Sequence, residues 1–202
     1  LKNENLSIAR NYLKGRSLGK DQVKKFKIGY IEKNPSFFDI LKKEHEEQSL
    51  LETGLFYFDE KKNIYLERFR GRLVFPINNI SGQPIALGGR IIEKSDYLAK
   101  YINSPETNFF KKGSNLYNLD NARKLSNKLD HIYLVEGYMD VVGLSKNGIE
   151  NVVANLGTSL TDKQILTLNQ FFDDIIICFD GDESGYKAAL RAAENSIKEL
   201  RP

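Results

Sequence analysis

The 202 residues are enough to bury one full core or two small ones, and 41% apolar with 28% charged residues places the chain among soluble globular proteins. No run of about eighteen apolar residues is present to cross a bilayer, so a membrane-spanning role is not expected. A net charge of +3 neither requires nor excludes a nucleic-acid partner, and a single cysteine excludes an internal disulfide and a Cys-rich zinc site.

Residues Leu1 to Arg10 mix charge with asparagine where a secretory signal would be apolar, so a cytoplasmic location is expected. The chain lacks an initiating Met and stops at Arg201-Pro202, directly after a helical pattern, and reads as a fragment. Ser7 to Leu13 predicts a helix ended by Gly15, and Gly19-Lys20-Asp21 introduces a second with Val23 and Phe26 at a helical interval. A strand over Ile28–Ile31 follows, then a helical region over Phe37–Leu51 broken near Lys42 to His45.

From Gly54 the pattern turns extended: Leu55–Phe58, Ile64–Leu66, Arg72–Ile77 and Ile85–Ile92, the last two joined by Asn78-Asn79-Ile80-Ser81-Gly82-Gln83-Pro84, which has hairpin-loop chemistry. Tyr97 to Asn103 reads as one more strand before Ser104-Pro105, so a mixed, largely antiparallel sheet is expected. Basic clusters fall at Lys24, Lys25 and Lys27, at Lys42 and Lys43, at Arg68, Arg70 and Arg72, and at Lys111 and Lys112. Each alone reads as a solvated face, and only arrangement can promote one to a phosphate site.

After a helix over Asn121–Lys128, strands and helices alternate. Strands are predicted at Ile132–Val135, Val152–Ala154 and Asp174–Phe179. Helices are predicted at Tyr138–Lys146, at Thr161–Gln170 opened by a capping-box spacing, and at Glu183–Leu200. Such alternation implies a parallel sheet with covering helices, and a domain boundary near residue 129. Cys178, within Ile175-Ile176-Ile177-Cys178-Phe179, reads as a small buried core residue.

Ligands of open parallel sheets bind outside the carboxyl ends of the strands. Glu136 follows the first strand of the second half, and Asp180-Gly181-Asp182 follows the third, 44 residues later, so both point to one rim. Two aspartates around a glycine can approach one cation, and a hard ion such as Mg²⁺ takes oxygen ligands while bridging carboxylates to phosphates. Asp182 and Glu136 could instead cap the helices that follow them, and Asp140, one turn beyond Glu136, could be a helix-start charge or an outer ligand. The matching context of the two acidic segments favours the metal reading.

Glu136-Gly137-Tyr138-Met139-Asp140 with Phe179-Asp180-Gly181-Asp182-Glu183-Ser184-Gly185 resembles the Toprim motif pair in the form shared by bacterial DnaG-type primases. Arg68 to Ile77, Gly88-Gly89-Arg90, Lys100 to Thr107 and Asn155-Leu156-Gly157-Thr158-Ser159 occur in that family's order, so the resemblance runs over essentially the whole chain. It implies an α/β (α+β) fold, with an N-terminal mixed α/β subdomain over residues 1–128 and an incomplete Toprim parallel sheet with covering helices over 129–202. The implied activity is a DNA-dependent RNA polymerase that makes short primers on single-stranded DNA from NTPs during replication.

By the same resemblance, Glu136, Asp180 and Asp182 would be catalytic and hold Mg²⁺ or Mn²⁺, two or more ions in a complete site, with Asp140 nearby. Arg72, Arg90, Lys100, Tyr101 and Asn103 would bind template or nucleotide. Arg and Lys neutralise phosphates without reading sequence, and a tyrosine ring offers a stacking face. Taken alone, Arg72 and Arg90 could be strand-edge charges, Tyr101 a sheet aromatic and Asn103 a turn residue. Later acidic ligands, an upstream zinc module and a downstream domain for the replicative helicase are expected outside this chain, with no zinc within it. A Toprim nuclease or topoisomerase and a noncatalytic nucleic-acid-binding module are the rival readings.

Overall fold

Short apolar runs punctuated by Gly, Asn and Pro make short elements, and the computed structural model describes them over residues 4–34, 36–93, 95–157 and 159–199. The chain divides into two units, Leu1–Pro76 with Ala86–Phe109, and Ile77–Ile85 with Phe110–Pro202.

The first unit opens with α1 (Glu4–Gly15), α2 (Lys20–Lys25) and β1 (Gly29–Ile31). The helical region after them is split as its charged middle predicts, into α3 (Phe37–Leu41) and α4 (Glu47–Glu52), because Glu46 takes an extended backbone between them. A hairpin of β2 (Phe56–Asp59) and β3 (Ile64–Glu67) follows; Asp59 accepts the N–H groups of Lys61 and Lys62 and Asn63 supplies the positive φ its turn requires. Phe38 of α3 stacks on Tyr65 at 4.3 Å and meets Phe56 edge-on at 5.3 Å, which with Leu50 forms a small core.

A four-stranded sheet has the order β1-β4-β5-β6, with β4 (Arg72–Asn78), β5 (Pro84–Ile91) and β6 (Tyr101–Asn103). β1 pairs antiparallel with β4, and β5 with β6. Four successive residues of β4, Arg72 to Phe75, are buried, so both of its faces are covered there and the usual in-out alternation disappears. The strand expected over Tyr97–Asn103 is only its last three residues; Tyr97 and Leu98 are exposed, since no neighbour covers them.

The hairpin loop joining β4 to β5 belongs to the second unit. There Asn78 donates to the buried Asp120 at 2.9 Å, and Arg123 Nε donates to the Ile80 carbonyl at 2.9 Å. The helix expected at Asn121–Lys128 lies earlier and is shorter, α5 (Leu119–Ala122) continued by a 3₁₀ turn over Arg123–Leu125. Alternation then holds: β7 (His131–Val135), α6 (Tyr138–Lys146), β8 (Val152–Ala154), α7 (Asp162–Leu168), β9 (Asp174–Ile177) and α8 (Glu183–Glu199). Leu200, the expected end of that last helix, lies outside the described residues. The sheet is parallel in the order β8-β7-β9, and Ile132, Leu134, Val153, Ile165 and Leu168 fill its core.

Cys178 corrects the expectation of a buried thiol, since it is exposed. Among the described residues one face of β9 is packed on the core, so Ile175 and Ile177 point inward while Asp174 and Ile176 face solvent, and Cys178 continues the outward set. A continuous apolar strand suggests burial on both faces, and here only one face is covered. The strand also ends at Ile177, two residues before the expected Phe179.

Candidate functional site

Parallel pairing in one register brings the ends of β7 and β9 to the same rim: Leu134 lies opposite Ile177, and the Cys178 N–H donates to the Leu134 carbonyl at 2.8 Å. Glu136 lies two residues beyond Leu134, and Asp180 three beyond Ile177. The Asp180 N–H donates to Glu136 Oε1 at 2.9 Å, which ties the two acidic segments together across 44 residues of sequence. Both residues are exposed.

Asp182 and Asp140 are placed as helix-start carboxylates. Asp182 Oδ1 accepts the Gly185 N–H at 2.7 Å in the first turn of α8, and Asp140 Oδ2 accepts the Gly137 N–H at 3.0 Å ahead of α6. Among the described residues, no three His, Cys, Asp or Glu side chains converge into a group that could hold a metal. What the rim offers is all-oxygen chemistry. A hard divalent ion that keeps several waters and binds through one or two carboxylates plus substrate phosphate fits that donor set.

Gly185 is the close-packed member of this rim. A Cβ there would lie 2.1 Å from the Asp180 carbonyl oxygen, so the helix start and the loop after β9 can approach this closely only through glycine. Asn155, at the end of β8, donates its N–H to the Val135 carbonyl at 3.4 Å and is 8% exposed, with its side-chain oxygen buried and unpaired. Nothing in its sequence context marked it beyond membership of the Asn155–Ser159 run, in which Thr158 lies outside the described residues.

The basic residues gather in the first unit. Arg90 and Tyr101 are directly opposite on β5 and β6, and the Arg90 guanidinium donates to the Tyr101 hydroxyl and lies 5.0 Å from its ring centroid. Lys100 Nζ lies 6.0 Å from the same ring. Arg72 and Arg90 are not strand-edge surface charges: they are 4% and 6% exposed, and among the described residues neither has a carboxylate partner. Arg72 instead donates to the Lys100 carbonyl at 3.4 Å, and burial lowers its pKa. Asn103 is half-buried on β6 opposite Gly88.

Two further contacts were not legible in the sequence. Tyr12 of α1 lies against both Arg90 and Arg16, with guanidinium carbons 5.2 Å and 5.6 Å from its ring centroid. Gly89 leaves room beneath it; a Cβ would meet the Phe69 ring at 2.6 Å and the Arg72 side chain at 3.2 Å.

Residues 1–123 match the family described as the DNA primase catalytic core, N-terminal domain, and residues 130–201 match the Toprim domain. A DNA primase of Haemophilus influenzae is 39% identical over 95% of the chain and 32% of its own length. The crystal structure of a DNA primase domain from Pseudomonas aeruginosa is 40% identical, covers 96% of the chain and 60% of its own, and superposes with a TM-score of 0.88. The structure of a DnaG primase catalytic domain bound to single-stranded DNA is 36% identical, covers 97% of the chain and 61% of its own, with a TM-score of 0.84. The chain thus spans about a third of the length of the curated relative it matches.

Proposed function

Since the chain belongs to the family of DnaG-type DNA primase catalytic cores, we propose that it forms part of a polymerase that builds short RNA primers from NTPs on single-stranded DNA during replication. We read residues 1–128 as the template- and nucleotide-binding part and residues 129–202 as the Toprim part. Its setting would be the cytoplasm, alongside the replicative helicase. Among the described residues, no helix is long and apolar enough to cross a membrane.

The observation that carries the reading is the bond from the Asp180 N–H to Glu136, which joins the two acidic segments at the carboxyl rim of a parallel sheet. Glu136, Asp180 and Asp182 would hold Mg²⁺ or Mn²⁺, with Asp140 supporting them. Bound there, the ions would supply charge neutralisation at the transferred phosphate and a lowered pKa for the attacking 3′-hydroxyl. The protein's own residues position. Glu136 holds the loop after β9 with one carboxylate oxygen, and Asp182 holds the start of α8 with one of its own. Arg72, Arg90 and Lys100 would neutralise phosphates of template or nucleotide, Tyr101 would stack on a base, and Asn103 would lie beside them.

The test is Mn²⁺ binding to this chain, followed by electron paramagnetic resonance, together with dinucleotide synthesis by the full-length parent. Asp180→Asn and Asp182→Asn should each weaken Mn²⁺ by tenfold or more and abolish synthesis. Synthesis retained by both variants would refute the assignment. Single-strand binding indifferent to divalent ions and to Asp180→Asn, with no synthesis by the parent, would identify a binding module instead.

A further inference from the structure

We propose that Tyr12 is a positioning residue for Arg90, holding the guanidinium ready for a phosphate through its aromatic ring and not through its hydroxyl. The inference rests on the reading above in which Arg90 contacts a phosphate of template or nucleotide.

An arginine that is 6% exposed ordinarily has a carboxylate beside it, because removing a charge from water is expensive. Arg90 has none among the described residues. It donates to the Tyr101 hydroxyl, and its Nε is buried with no acceptor. What faces the charge is aromatic: the Tyr101 ring at 5.0 Å and the Tyr12 ring at 5.2 Å. Two ring faces stabilise a cation without consuming its remaining hydrogen-bond capacity, whereas a carboxylate would fill it and repel an incoming phosphate. The guanidinium is therefore incompletely satisfied, with donor capacity left for an oxyanion.

Tyr101 belongs to the expected set, but Tyr12 comes from α1, about ninety residues earlier, and nothing in its local sequence distinguished it. Its hydroxyl is buried without a hydrogen-bond partner, so in this arrangement it neither reaches solvent nor fixes the ring. The ring carries the contact. It also lies 5.6 Å from the Arg16 guanidinium, so a second cation shares its electron density.

The experiment measures affinity for two phosphate sources separately, a fluorescein-labelled oligo(dT) by anisotropy and a fluorescent ATP analogue with Mg²⁺ by titration. Arg90→Gln identifies which of the two uses Arg90. For that ligand Tyr12→Leu should weaken binding about tenfold, the scale of one desolvated cation–π contact. Tyr12→Phe should bind like the unmodified chain and unfold at an equal or higher temperature, since it deletes only an unsatisfied hydroxyl. In the Arg90→Gln background, Tyr12→Leu should have no further effect, which a merely structural role would not produce. If Tyr12→Leu does not fold, Tyr12→Met removes the ring at closer to its original length and carries the same expectation. Equal loss in the Phe and Leu variants, or a full Leu effect persisting without Arg90, overturns the positioning role alone. Unchanged affinity for both ligands in Arg90→Gln overturns the phosphate reading of Arg90 and the inference with it.

Discussion

Two glycines four residues apart show how differently one residue type is used at the acidic rim. A Cβ at Gly181 would meet nothing within 4 Å, whereas at Gly185 it would lie 2.1 Å from the Asp180 carbonyl oxygen. In an open helix, Gly→Ala stabilises by roughly 0.5–1 kcal/mol. At Gly185 the sign should reverse, with Gly185→Ala costing about 2 kcal/mol or more as α8 is pushed from the loop, while Gly181→Ala stays near neutral in stability; thermal unfolding of the two variants checks the contrast. Sequence marked Gly185 only as the end of the run over residues 179–185 that resembles a Toprim motif, with no reason for the glycine, because a contact between backbone atoms leaves no signature in polarity or period. The placement of Glu136 and Asp180 at one rim was legible for the opposite reason: Glu136 directly follows an apolar strand and Asp180 lies three residues beyond another. Cys178 was misread because an apolar run looks the same whether one or both of its faces are covered.

Among the elements, α6 and β8 fall on their expected bounds, and the capping-box start of α7 was legible although the helix ends at Leu168, two residues short of the expected Gln170. Thr161 and Gln164 bond reciprocally as their spacing predicts, Gln164 N–H to Thr161 Oγ1 at 3.2 Å and Thr161 N–H to Gln164 Oε1 at 3.0 Å. The pattern did not reveal that Gln164 is fully buried and that its Nε2 donates to the carbonyls of Lys112 and Asn115 at 3.1 and 2.8 Å. Those partners lie about fifty residues away, beyond any local pattern. A cap-only role predicts a loss of about 1 kcal/mol for Gln164→Ala; with two loop carbonyls stranded as well, about 3 kcal/mol is expected, measured by urea unfolding. Thr161→Ala should cost less, about 1–2 kcal/mol, since it loses the cap and its bond to the Gly113 carbonyl but leaves Gln164 in place. Extended segments fared worse than helices. Tyr97–Leu98 has strand composition and, among the described residues, no partner strand, and pairing, unlike helical hydrogen bonding, is decided elsewhere in the chain.

Across the whole molecule, the net charge of +3 conceals a division. The first unit carries 19 Lys and Arg against 14 Asp and Glu, a net +5, and the second 11 against 13, a net −2. The long-range field of the first unit therefore favours anions and that of the second favours cations. If Arg72, Arg90 and Lys100 are the phosphate contacts, single-strand affinity should fall with salt at a log–log slope of about −2, and Lys100→Gln should make it shallower by about 0.7; anisotropy titrations across a salt series measure both. The division between antiparallel pairing and a parallel sheet was legible because alternation of strand and helix begins only after residue 129. The allocation of the β4–β5 loop to the second unit was not, since it depends on Asp120 and Arg123 reaching back to it.

The outward row of β9 has a colloidal consequence. Ile176 is 37% exposed on an edge strand, beside the exposed Cys178. Such an edge is a template for another chain, and oxidation of the thiol would lock a transient pair covalently. Concentrated samples should therefore scatter increasingly with time without reductant, and Ile176→Lys, a gatekeeper charge at the sticky edge, should keep them clear.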